Sequence, residues 1–129
     1  MVRAPGVGAE RAGASTPEAA VKQYEIWWAT LPLPVGRRPV LLLSRTPAYA
    51  YLNKVLVAEV TTTIRGISQE VSVGRAEGLP TTSVVNLDNL HTIPKRLLKE
   101  RAGTLKPSCE IAVKRAVGHA LGWVELTAL

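Results

Sequence analysis

The stretch "RRPVLLLS", residues 37–44, decides how this chain folds. Residues 40–43 are apolar without a break, the pattern of a short strand buried on both faces. Pro39 has no N–H to give a ladder, so it suits the first position of a strand and not its middle. It also holds the residue before it, Arg38, in an extended conformation. The sequence therefore predicts two arginines at the rim of a sheet, with Arg38 held stiffly. A guanidinium in that place has two uses, as a structural ion-pair partner or as an anion receptor. The stretch alone leaves both open.

Working outward, residues 24–30, "YEIWWAT", are aromatic and β-branched and predict the first strand, with "LPLPVGR" as a short connection to the second. Trp27 and Trp28 should point to opposite faces, one into the core and one onto a contact surface. "RTPAYAYLN" is a loop. "KVLVAEVTTTI", residues 54–64, is the third strand, followed by a turn at Arg65-Gly66 and an alternating, half-exposed fourth strand in "ISQEVSV". After the loop "GRAEGLPTT", residues 83–93, "SVVNLDNLHTI", form a fifth strand, bent or bulged near Asn89 and stopped by Pro94. "KRLLKERAG" fits either a short helical turn or a short strand beside one.

"KPSCEIAVKRAVGHALG", residues 106–122, is the one long helix, with Pro107 in its first turn and Gly122 past its end. Ile111, Val113, Val117, Ala120 and Leu121 are its expected buried side. Gly118 costs about 1 kcal/mol there unless close packing requires it. Many short strands with one terminal helix predict a mainly β domain, a small closed antiparallel barrel. That domain covers residues 23–129. Residues 1–22, rich in Ala, Gly and Arg, form an N-terminal extension, flexible or with a short helix starting at a Thr16 N-cap.

The chain has 129 residues, enough for one real core, and 47% are hydrophobic, which excludes global disorder. No apolar run approaches a membrane span, and the N-terminus lacks the apolar region of a secretory signal, so a cytoplasmic protein is expected. The single cysteine, Cys109, makes no internal disulfide and is expected to be a packed thiol. Two histidines and one cysteine give no zinc spacing, and neither a phosphate-binding loop nor a dinucleotide motif is present. No metal and no cofactor are expected. Lys and Arg number 16 against 10 acidic residues, and the net charge of +6 favours a polyanionic partner, nucleic acid or an acidic protein.

Arg45, Tyr49, Tyr51 and Lys54 interleave cations and rings in one loop, so bases can stack while cations follow phosphates. The alternative is that the tyrosines fold back onto the barrel. Lys95, Arg96, Lys99 and Arg101 form a charge run, either a solvated face or the flank of a nucleic-acid groove. His91 and His119 invite comparison with two-histidine ribonucleases, but nothing in the sequence brings them together.

The ordered set "GRRPVLLLS", "VAEVTTT", "SVVNLDNLHTIPKRLL", "GTLKP" and an amphipathic helix ending in "LGW" resembles the MazF/PemK family of endoribonuclease toxins. The likeness spans residues 24 to about 123. It implies an SH3-like barrel of the CcdB/MazF type, a homodimer, cleavage of single-stranded RNA and an acidic antitoxin partner. By motif, Arg38 matches the family's catalytic arginine before proline, and Thr61 its usual threonine partner. Ser83, Asp88, Thr92, Lys95, Arg96 and Leu97 match the stretch near the family's dimer interface and RNA groove, where His91 would then also lie.

With Arg38 and Thr61 as catalytic residues, the RNA-binding set is Arg37, Arg45, Tyr49, Tyr51, Lys54, Asn89, Lys95 and Arg96. The reaction the resemblance suggests needs no metal. The RNA 2′-OH attacks, leaving a 2′,3′-cyclic phosphate and a 5′-OH. The chain departs from the family in its short first loop, in Asn89 for glutamine and in Pro94 for an acid. A non-catalytic module of the same fold, binding a protein or RNA, is the alternative.

Overall fold

Six strands build one antiparallel sheet in a computed structural model that describes residues 21–129. They are β1 (Glu25–Thr30), β2 (Arg37–Leu42), β3 (Lys54–Thr61), β4 (Glu70–Val73), β5 (Ser83–Pro94) and β6 (Leu98–Thr104), in the spatial order β4-β5-β3-β2-β1-β6. Helix α1 (Glu110–Leu121) and the short α2 (Val124–Thr127) end the chain. The helix expected from Thr16 begins outside the described residues. "KRLLKERAG" resolves into both of its alternatives, a single 3-10 turn at Lys95–Leu97 and then β6.

Strand β2 is buried on both sides, as its unbroken apolar run predicts. Leu41 enters a cluster with Ile26, Ala58, Val85, Leu87 and Val113, while Val40 and Leu42 enter a second with Trp27, Ala29, Val57, Tyr49 and Ile93. Each such side chain contributes about 1.5–3 kcal/mol on burial. The first cluster lies between the sheet and α1. Val113 and Ala116 are buried in it, with Val117 and Ala120 packed alongside, a one-sided helical spacing. Ile111 and Leu121, expected on that side, fall off the stripe and stay exposed. Cys109 packs at its margin, as a packed thiol should.

The expected closed barrel is a curled sheet whose edges, β4 and β6, share no ladder. Its seam is main-chain packing. After β4, the 3-10 turn Arg75–Glu77 ends at Gly78, which has φ +88°. A Cβ on Gly78 would stand 1.9 Å from the Ala102 carbonyl oxygen, and one on Gly103 would stand 2.0 Å from that of Glu77. Only glycine at both positions lets the two backbones touch. The bend predicted near Asn89 is also present. Ala58 pairs with Leu90 but Glu59 with Asn86, so residues 87–89 bulge out of register. Gly118 has its packing reason, since a Cβ there would lie 2.8 Å from the Leu126 Cβ of α2.

Candidate active site

Arg38 sits at the mouth of β2, opposite Ala29 of β1. Its Nη1 donates to Glu59 Oε1 at 3.2 Å, and the other oxygen of that carboxylate bonds His91 Nε2. Glu59 lies inside β3 with its side chain 9% exposed, whereas Arg38 and His91 keep 32% and 35% of theirs. A buried carboxylate requires partners, and here it holds one cation and one imidazole. The structural reading of Arg38 is therefore satisfied, and the ion pair fixes the guanidinium without hiding it.

Extending the β2–β3 register two residues beyond Val40↔Glu59 sets Thr61 across from Arg38. Both line an open depression of ≈190 Å³, together with Trp28, Arg37, Thr81 and Ser83. Arg37 stacks over the Trp28 ring at 4.3 Å and reaches Glu100 at 3.4 Å. Trp27 points the other way into the core, its Nε1 donating to the buried Glu25 at 3.0 Å. Thr61 Oγ1 accepts the Thr63 N–H at 3.1 Å, which leaves its hydroxyl proton for an incoming acceptor. Two guanidinium groups and a hydroxyl beside one depression suit a phosphate.

The other expected RNA contacts fall elsewhere. Lys54 and Thr61 are the two ends of β3, about 23 Å apart at roughly 3.3 Å per residue. Exposed Lys54 and Arg96 group at the far end with Arg45 and Tyr51, which hydrogen-bond one another. Lys95 Nζ donates to the Tyr49 carbonyl at 2.8 Å, anchoring that corner. Tyr49 itself is a correction. It is fully buried in the second cluster, where burial pushes its phenol well up, and it offers no face to a base. The spiral Thr46–Ala50 turns Ala48 and Tyr49 inward together and leaves Tyr51 outside. Asn89 is exposed on the β5 bulge, between the two groups.

Within the charge run, Arg101 bonds the buried Glu25 at 3.1 Å and so acts in the fold. His119 is exposed on α1. Sequence reasoning missed Glu59 and Glu25. The available signal was an acid within an apolar strand, which is almost never buried without a partner. Among the described residues, no three His, Cys, Asp or Glu side chains group to hold a metal, and no helix is long and apolar enough to cross a membrane.

A curled six-stranded sheet with a terminal helix, bearing an arginine and a threonine at a cationic depression, defines a small β protein whose surface is chemically suited to an anion. The chain belongs to the PemK-like, MazF-like toxins of type II toxin-antitoxin systems, whose family profile matches residues 22–121. It is similar to the endoribonuclease MazF3 of Mycobacterium tuberculosis, 45% identical over 89 residues that span 67% of this chain and 86% of that protein. The probable endoribonuclease MazF5 of the same organism is 42% identical over 82 residues, 63% of this chain and 74% of that protein. Among solved structures, the Mycobacterium tuberculosis toxin MazF-mt6 superposes with a TM-score of 0.72 at 41% identity, covering 76% of this chain and 96% of that one. An endoribonuclease in complex with its cognate antitoxin, from a mycobacterial species, does so at 0.71 and 28% identity, covering 81% and 97%.

Proposed function

We propose that this chain is a sequence-selective toxin endoribonuclease that cuts single-stranded RNA without a metal, using the RNA 2′-OH as nucleophile. The carrying observation is Arg38, locked by Glu59 and facing the same depression as Thr61. In-line attack builds negative charge on the phosphoryl oxygens. A preorganised guanidinium meets that charge with a planar fork and no reorganisation. The 2′-OH is already tethered beside phosphorus, so proximity supplies much of the acceleration. Thr61 donates its free proton to a phosphoryl oxygen. Unpaired RNA is preferred because a flexible strand can bring the 2′-OH opposite the leaving oxygen.

Arg37, Asn89 on the bulge and, beyond it, Lys54, Arg45, Tyr51, Lys95 and Arg96 extend the surface along which RNA lies. The likeness to a toxin that binds its cognate antitoxin, with the charge of +6, supports an acidic antitoxin segment over the same surface. Exposed Ile111, Leu121, Trp123 and Val124 leave apolar surface at the C-terminal end for a homodimer. The site of action is the cytoplasm, where such RNA and an antitoxin meet.

The test is incubation of the purified chain with a long single-stranded RNA in EDTA. Fragments should carry 2′,3′-cyclic phosphate and 5′-OH ends, and a 2′-deoxy nucleotide at a mapped site should abolish cutting there. Undiminished cutting at the 2′-deoxy site, or complete loss of activity in EDTA, overturns the mechanism. Sedimentation as a monomer at micromolar concentration overturns the dimer.

A further inference from the structure

Resting on that reading, we propose that His91 is the general base that takes the 2′-OH proton, and that Glu59 is the positioning residue for both His91 and Arg38. The nucleophile must lose a proton, and the two motif residues are poor acceptors. Arginine stays charged, and a threonine hydroxyl is a weak base. Glu59 is buried, with one oxygen on Arg38 and the other on His91. Imidazole is the side chain that exchanges protons most readily near neutrality. His91 keeps 35% of its side chain exposed, about as much as the 32% of Arg38, so both partners of this carboxylate reach solvent.

The fold builds this pair on purpose-made register. His91 pairs with Val57, and Glu59 lies two residues further along β3 on the same face. That makes the two side chains diagonal neighbours, within reach of each other. The bulge at residues 87–89 ends two residues before His91, so it sets which β5 side chain faces Glu59. With its Nε2–H donated to the carboxylate, a neutral imidazole has Nδ1 as its acceptor. Because the same carboxylate holds Arg38, base and phosphate-binding cation stay neighbours.

In the step, the 2′-O–H proton passes to His91 Nδ1 as the 2′-O–P bond forms. The P–O5′ bond breaks, and the 5′-oxygen takes a proton from water at the open rim. His91 returns its proton to solvent. The transesterification has no net consumption of water.

The experiment uses the full chain and an RNA oligonucleotide spanning a mapped cleavage site. His91→Ala should lower the single-turnover rate by about 10²–10⁴-fold. Its affinity for the 2′-deoxy oligonucleotide should stay within about twofold of wild type, since general-base loss removes a transition-state interaction alone. Added imidazole should restore part of the rate to His91→Ala and none to Glu59→Gln, whose rate falls because both His91 and Arg38 lose their anchor. His91→Gln keeps a hydrogen-bonding side chain and should be as slow as His91→Ala, which separates proton transfer from folding. If wild type makes cyclic phosphate ends and His91→Gln cuts as fast, His91 is not the base while the endoribonuclease reading stands. If wild type leaves RNA intact, both fall.

Discussion

Replacing Gly78 by alanine should be among the most damaging single-methyl changes in this protein. Two costs add. The φ of +88° is left-handed, which costs an L-residue about 1–2 kcal/mol. The new Cβ would lie 1.9 Å from the Ala102 carbonyl oxygen, roughly 1.5 Å closer than an ordinary carbon–oxygen contact. The obstacle is backbone, so no side chain can swing aside, and overpacking of this kind costs about 1–3 kcal/mol. The sum is about 2–5 kcal/mol. Gly66 supplies the control, with φ +73° and nothing within 4 Å, so Gly66→Ala carries only the conformational cost.

Thermal unfolding by circular dichroism should place the Gly78→Ala midpoint about 8–20 °C below wild type and that of Gly66→Ala about 4–8 °C below, at roughly 4 °C per kcal/mol for a domain of this size. All samples must share one concentration, because the proposed dimer would make midpoints depend on it. Gly103→Ala, with the same clash at 2.0 Å and no left-handed φ, should fall between them. Equal midpoints for Gly78→Ala and Gly66→Ala would refute the claim that backbone contact holds the seam between the two edges of the sheet.

Arg38→Lys keeps a cation for Glu59 but loses the planar fork, so RNA cleavage should fall by about 10²–10³-fold while the melting curve hardly moves; a rate near wild type would remove Arg38 from the reaction. Gly118→Ala gains helix propensity but drives a Cβ to 2.8 Å from Leu126, so α2 should lift and the amide of Trp123, bonded to the Gly118 carbonyl at 2.9 Å, should exchange faster. Unchanged protection there would show that α2 adapts without moving. Burial raises the Tyr49 phenol above its unfolded value of 10.0, so its stabilising effect is complete below pH 10 and fades as pH climbs toward the folded pKa. Urea midpoints should therefore drop above pH 10, less steeply in Tyr49→Phe, with Tyr24, also raised by burial and by Glu110, accounting for part of the remainder.

What the sequence made legible were the features that one residue's covalent geometry or a local period enforces. Four apolar residues set the double burial of β2, and the stretch around Asn89 announced the bulge, whereas Pro39, expected to open the strand, is its third residue, paired with Trp28 two places after the strand starts at Arg37. Arg38 and Thr61 were found through motif resemblance, and the structure sets them at one depression. The missing parts depended on distant register. His91 and Glu59 are 32 residues apart and meet only because β5 slips against β3. Tyr49 and Tyr51 look alike in a string of letters, and only the spiral at Thr46–Ala50 sends one ring inward. The seam was equally hidden, because Gly78 and Gly103 read as ordinary turn and breaker residues until two backbones are laid together.

The open sheet also bears on self-association. A strand at a sheet edge offers unpaired N–H and C=O groups to any chain that can match them. Here β4 is only four residues long, and its Glu70 carboxylate is engaged by the N–H groups of Arg65 and Gly66. The other edge, β6, is lined by exposed Lys99, Glu100 and Arg101, charges that discourage a second copy from docking in register. The glycine contact pins the β4 side of the sheet against β6. A chain whose seam opens presents both edges at once, so the two glycines guard against fibre-like polymerisation as much as against unfolding.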